Sequence, residues 1–200
     1  MLELEDCKVL FCVVGLAGVL LLASPTLSLI LHLPSGERFS ELWVLGPSHM
    51  AEDYPFDVGA DESLLVHVGV GNHMGSSVYY VAYVKFRNQS EALPDSTAGT
   101  PSPVSPLCEY RVFLRDGEIW EAPLTFSFSG VSFFENQSLV TSFIVDDYAF
   151  GVDKSALWDG ENNGYFYQVF IELWIYEAES DDFEFHNRFV GVWVNMTGNL

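Results

Sequence analysis

Phe166-Tyr-Gln-Val-Phe-Ile-Glu-Leu-Trp-Ile-Tyr176 decides how the rest of this chain is read. The run is built from β-branched and aromatic residues with no Gly or Pro inside, which suits a half-buried pleated strand better than a helix. Asn162-Asn-Gly164 turns the chain into it, and the acidic stretch from Glu177 to Asp182 turns the chain out again. A second run, Phe185 to Val194, follows at once, so the two are expected to pair as antiparallel strands.

The same pattern recurs upstream. Glu41-Leu-Trp-Val-Leu45 is a short strand stopped by Gly46-Pro47. Ser63 to Val70 and Val78-Tyr-Tyr-Val-Ala-Tyr-Val-Lys-Phe86 are two more. Glu109-Tyr-Arg-Val-Phe-Leu114 is expected to form a hairpin with Ile119-Trp120 through Asp116-Gly117, a strong turn pair. Leu124-Thr-Phe-Ser-Phe128 alternates cleanly, and Leu139 to Val145 follows it. Beyond residue 33 the one helical hint is a short turn at Ser155 to Trp158. Seven to eight strands between Gly, Pro, Asn and Asp turns predict an all-β fold, an immunoglobulin-like β-sandwich. Cys108 is the one cysteine after the apolar segment, so a disulfide framework and a cysteine-based zinc site are both excluded there. The likeness to antibody domains is therefore architectural.

Val9 to Leu33 carries no charge and exceeds the roughly 20 residues needed to cross a bilayer. Pro25 is expected to kink it. The segment before it is acidic apart from Lys8, and no small-residue cleavage pattern closes the run, which favours an uncleaved anchor over a signal peptide. The expected organisation is a tail at 1–8, one N-terminal transmembrane helix at 9–33, and a β-sandwich domain at 34–200 with a mobile Pro-rich loop at 90–107. Lys8 and Arg38 flank the apolar run, one on each side, so the balance of positive charge favours neither orientation. Asn88-Gln-Ser90, Asn136-Gln-Ser138 and Asn195-Met-Thr197 are three glycosylation sequons beyond the anchor, and they favour an exported domain.

The chain holds 28 acids against 8 bases, a net charge of −20. Such a surface repels phosphate backbones and anionic lipid headgroups, so nucleic acid is not an expected partner. A soluble exterior accounts for it without any specific cation site.

Glu41-Leu-Trp-Val-Leu-Gly-Pro47, Ala51-Glu-Asp-Tyr-Pro55, Val58-Gly-Ala-Asp-Glu62 and Val68-Gly-Val-Gly-Asn-His-Met-Gly75 occur in this order. Together they resemble the archaeal membrane-anchored family called domain of unknown function 1616. Asn187-Arg-Phe-Val-Gly-Val-Trp-Val-Asn195 is similar to that family's closing strand. The resemblance covers residues from about 38 to 197 and implies a transmembrane segment followed by an exported immunoglobulin-like domain. It implies no activity, and a single anchor leaves no room for transport.

Asp159-Gly-Glu-Asn-Asn-Gly164 imitates the first half of a calcium loop, with Asp159, Glu161 and Asn163 as oxygen ligands. The twelfth position is Phe170, where a bidentate Glu is needed, and the plain alternative is a turn into the Phe166 strand. The five histidines have no zinc-ligand spacing, and no Gly-x-Ser-x-Gly elbow is present. Of the five tryptophans, Trp43, Trp120, Trp174 and Trp193 lie in apolar strands and are expected in the core. Trp158 is the one expected at a contact surface. The expected function is that of a non-enzymatic cell-surface module for an envelope protein or glycan partner, of no stated oligomeric state. A filament subunit using strand-edge pairing and a carbohydrate-acting enzyme are the alternatives.

Overall fold

The computed structural model describes residues 8, 11–19 and 37–197. The chain divides into two units, Met1–Arg38 and Phe39–Leu200. In the first, residues 11–19 are helical. Most of the expected membrane helix at 9–33 lies outside the described residues, and no described helix is long and apolar enough to cross a membrane.

The second unit is built of ten strands: β1 (Phe39–Leu45), β2 (Asp57–Val58), β3 (Leu64–His73), β4 (Val78–Asn88), β5 (Cys108–Leu114), β6 (Ile119–Phe134), β7 (Gln137–Val145), β8 (Tyr148–Leu157), β9 (Phe166–Glu177) and β10 (Asp182–Met196). They form two five-stranded sheets, ordered β1-β3-β6-β7-β8 and β2-β10-β9-β4-β5. The β9–β10 pair expected from the opening stretch is present and antiparallel. The short β2 runs parallel to the end of β10.

Period-two patterning explains why the sheets face each other. Phe126 and Phe128 sit two apart on β6 and point inward with Phe143 of β7. Phe86 of β4 and Tyr167 of β9 meet them from the other layer, with ring centroids 5.0 Å (Phe86–Phe143) and 5.3 Å (Phe86–Tyr167) apart. The buried Tyr167 hydroxyl reaches the Ser138 hydroxyl at 2.9 Å, so the core keeps no orphan polar atom there.

Several sequence expectations are corrected. The strands number ten because β2 is only two residues long and β8 is a polar edge strand whose alternation is masked by Gly151, Asp153 and Ser155. Ser155 to Leu157 is the end of β8 and Trp158 follows it, so no helical turn forms there. The Asp116-Gly117 turn does not close a hairpin. β5 pairs with β4 in one sheet, and β6 pairs with β3 in the other. Gly117 N–H donates to the Asn72 carbonyl at 2.7 Å, and Asn72 N–H donates to the Glu118 carbonyl at 3.0 Å. The turn is thus clamped onto the end of β3, and the chain changes sheets there.

The segment 90–107 is a tethered strap. Lys85 and Glu172 point outward from β4 and β9 yet are buried, 2.7 Å apart. Lys85 Nζ also donates to the Ser102 carbonyl at 3.0 Å, while Ser102 N–H donates to Glu172 Oε1 at 2.8 Å. Both backbone groups of one strap residue are held by one ion pair, which satisfies that pair as it leaves water. Composition alone suggested mobility because these anchors lie outside the segment.

Candidate functional site

The family-like residues at 41–75 are architectural. Trp43 and Gly69 oppose each other on β1 and β3, and Glu121 of β6 opposes Gly69 on the other side. The indole crosses the glycine and donates its N–H to Glu121 at 3.0 Å. Next to it, Glu41 lies over Gly71 in the same way. A Cβ on Gly46 would fall 1.9 Å from the Glu52 carbonyl, so that corner needs glycine. The Asn72 amide donates to the Ser76 and Leu114 carbonyls and accepts from Met74 N–H and the Tyr80 hydroxyl. His49 and His67 stack at 3.7 Å, and their Nδ1 atoms contact Glu121 and the Gly46 carbonyl. Hydrogen bonds from Trp43 and His49 hold the Glu121 carboxyl below its usual range. Trp43, His49, His67 and Glu121 hold the β1–β3–β6 corner, and Asn72 ties the end of β3 to β4 and β5 of the other sheet.

The hollow with free chemistry lies elsewhere. Phe56 precedes β2, Phe166 opens β9, and Trp193 lies near the end of β10. With Gln89, Asp159 and Asn162 they line a pocket of about 480 Å³. A second hollow of about 310 Å³, lined in part by Val44, Tyr54, Val190 and Val192, shares Phe56 and Trp193 with the first. Phe56 is 50% exposed and Trp193 39% exposed. Trp193 faces outward because Val192 and Val194 on either side of it face the core. The Arg87 guanidinium lies 4.9 Å from the indole centre and fixes the ring from the sheet side. Arg87 is itself buried and donates to Gln168 Oε1 at 2.8 Å and to backbone carbonyls, so it is not a free cation in the pocket. Burial draws its guanidinium below the ordinary value.

The turn singled out as a calcium loop forms part of this wall. Asp159 Oδ1 accepts the N–H groups of Glu161 and Asn162, and Oδ2 accepts the Asn162 side-chain amide at 2.8 Å. These bonds hold its carboxyl below the usual range, with the Asn162 amide the largest cause. Asn163 adopts a left-handed φ of 56°, and Asp159 bridges to Gly164. Glu161 and Asn163 are exposed and do not line the pocket. Among the described residues, no three of His, Cys, Asp and Glu gather to hold a metal. The motif is a tight turn stabilised by its own aspartate.

The sequons differ in their surroundings. Asn195 is 9% exposed; its side-chain amide donates to Asp57 and accepts from Tyr165 N–H. Asn88 donates to the Ser155 carbonyl and accepts from the Ser90 and Glu91 backbone. Asn136 sits exposed in the turn between β6 and β7. Trp158 is exposed, as expected, and packs edge-on against Tyr165 at 5.1 Å, away from the pocket lining. Of the other four tryptophans, Trp120 is partly buried and packs against the core as expected, whereas Trp43, Trp174 and Trp193 are not part of it, which corrects their assignment. For Trp193 the signal was available: in Val190-Gly-Val192-Trp-Val194 the valines claim one face and the indole the other. Phe56 and Gln89 carried no such signal, because their neighbourhood is made by chain segments far apart in sequence.

The model of the family described as Domain of unknown function (DUF1616) matches residues 33–132, half of the chain. No curated protein matches. Solved structures that resemble the chain include a β-glucosidase from Listeria innocua in complex with gluconolactone, at TM-score 0.41 and 15% identity over 80% of this chain and 16% of that one. Another is a β-D-glucoside glucohydrolase from Trichoderma reesei, at TM-score 0.31 and 13% identity over 80% of this chain and 19% of that one. The chain spans less than a fifth of the length of either.

Proposed function

The chain belongs to the DUF1616 family, a domain of unknown function, and from that premise we propose that it is a non-catalytic binding module, immunoglobulin-like in architecture, held at the cell surface. The paired hollows at Phe56 and Trp193 are its binding site for an envelope protein or glycan. The observation that carries this reading is a pair of exposed aromatic rings, fixed by a folded scaffold, standing between two hollows of ligand size. Contiguous exposed aromatics bordered by polar groups are the usual mark of a contact surface. Of the pocket's lining residues, Asp159 is the one carboxylate, and its oxygens stabilise their own turn. Glycoside hydrolysis uses two carboxyl groups across the scissile bond, so this pocket favours binding over turnover.

The surface placement rests on the uncharged run Val9 to Leu33 and the exposed Asn136 sequon. Assembly through strand edges has less support. In the β1-to-β8 sheet the edge strand β8 carries a register shift opposite Val140 and Ser142, and Asp153 within it has a φ of 44°. Such an irregularity blunts an edge against pairing.

The test uses the full chain in detergent and isolated cell envelopes separated into protein and glycan fractions. Binding to one fraction is expected, and Trp193→Ala and Phe56→Ala should each reduce it at least about tenfold, a loss of about 1.4 kcal/mol. Binding that is unchanged in both variants would place the contact surface elsewhere and defeat the proposal.

A further inference from the structure

We infer that the ligand of this site is a neutral oligosaccharide of at least two rings, laid across the Phe56–Trp193 ridge with one ring in each hollow. The inference rests on the binding-module reading above and names its ligand class. Three features of the site carry it.

The first is the combination of surfaces. A pyranose ring has an apolar C–H face and a rim of hydroxyl groups. It therefore needs an aromatic plane beneath it and small planar polar groups at its edge. The larger hollow supplies the exposed rings of Trp193 and Phe56 as planes, with the buried Phe166 in its lining, and the side chains of Gln89, Asn162 and Asp159 as edges. Among the described residues, the Gln89 side-chain amide and the Asn162 carbonyl oxygen take no hydrogen bond from the protein, and Asp159 Oδ2 accepts one where it can accept two. Donors and acceptors are thus both present, which suits hydroxyls that do both.

The second is charge. The wall carries a carboxylate held in its ionised form, and the chain carries −20 overall. The nearby cation, Arg87, is buried and committed to Gln168 and to main-chain carbonyls. An acidic sugar, a phosphate or a nucleotide would meet a negative field with no counter-charge free to receive it. Neutral sugars meet no such field.

The third is the shared ridge. Phe56 and Trp193 line both hollows, about 480 and 310 Å³ in volume. A single ring fills one side only. A second linked ring reaches the other hollow, where Val44, Val190 and Val192 offer an apolar floor. Because the rings are linked, the second contact adds little further loss of translational freedom.

The experiment titrates the full chain in detergent with neutral hexose oligosaccharides of one to four rings, followed by tryptophan fluorescence and calorimetry. An acidic oligogalacturonate series is the comparison. Affinity should rise about tenfold or more from one ring to two and flatten beyond three, and the acidic series should bind at least about tenfold more weakly. Trp193→Ala should abolish the response, and Trp193→Phe should retain part of it. Gln89→Ala, on the surface and outside the turn's hydrogen bonds, should weaken binding without moving the unfolding midpoint. If no neutral oligosaccharide binds while the envelope protein fraction still binds in a Trp193-dependent way, the glycan assignment falls and the module stands. If neither binds in that way, both fall. Tighter binding of the acidic series would overturn the assignment by itself.

Discussion

The indole of Trp43 occupies the volume that a side chain at Gly69 would need: a Cβ built there falls 2.1 Å from Cε2 of the ring. The two residues face each other across β1 and β3, and the indole N–H continues to Glu121 of β6. One tryptophan therefore ties three strands together, and it can do so only where the middle strand has no side chain. Gly69→Ala is expected to push the ring off the sheet and to destabilise the domain by about 1–3 kcal/mol. Trp43→Ala costs its own contacts, but Trp43→Ala with Gly69→Ala together should cost less than the sum, because the clash is gone. Urea unfolding of the four proteins in this cycle measures the coupling. Additive losses would show that ring and glycine do not depend on each other.

That pairing also marks how far sequence alone reaches. The strand runs at 41–45, 78–86 and 166–176 were legible because their composition permits little else, and the β9–β10 pair followed from adjacency. Partner choice was not legible at Asp116-Gly117, because a turn signal states that the chain reverses and not which sheet receives it. There the deciding contacts come from Asn72, far upstream at the end of β3. The candidate site was half legible. Asp159 to Gly164 stood out as a motif with two readings, half a calcium loop or a plain turn, and the Asp159 oxygens accept hydrogen bonds from within that turn. Phe56, Gln89 and Trp193 come together only through the fold, from beside β2, the end of β4 and β10.

The strap between β4 and β5 supplies a second test. Lys85 and Glu172 hold the Ser102 backbone from both sides, and the Trp174 indole N–H donates to Glu172 Oε2 at 3.1 Å. Lys85→Met leaves Glu172 as a buried charge with no cation, and a loss of about 3–5 kcal/mol is expected. Replacing both residues, Lys85→Met with Glu172→Leu, removes the uncompensated charge and should recover much of that loss. The single variant removes only the bond to the Ser102 carbonyl, whereas the double variant also removes the Glu172 acceptor of Ser102 N–H. Hydrogen exchange at Ser102 N–H should therefore rise in the double variant, even where global stability has returned. Protection that persists in the double variant would show that the prolines, and not the ion pair, seat the strap.

A third expectation concerns acid. His186 Nε2 lies 2.9 Å from the Ser40 hydroxyl, which also meets the Tyr80 hydroxyl at 2.7 Å between the two sheets. Burial, with Arg188 nearby adding to it, draws the His186 imidazole below its ordinary value. The folded state thus resists taking up the proton that the unfolded chain accepts near pH 6.5. Its contribution is complete above that pH and is lost as pH falls through the unfolded value toward the lower folded one. In free-energy terms, stability rises with pH across that window because the unfolded state binds more protons. His186→Gln keeps an amide that can bond to Ser40 and cannot titrate. The difference in unfolding free energy between the native chain and this variant should be flat above about pH 7 and should shrink as pH drops below about 6.5. Carboxylates titrate lower and act on both proteins alike, so they cancel in the difference. A difference curve with no slope between about pH 5 and 7 would mean that His186 takes up its proton as readily in the folded domain as in the open chain.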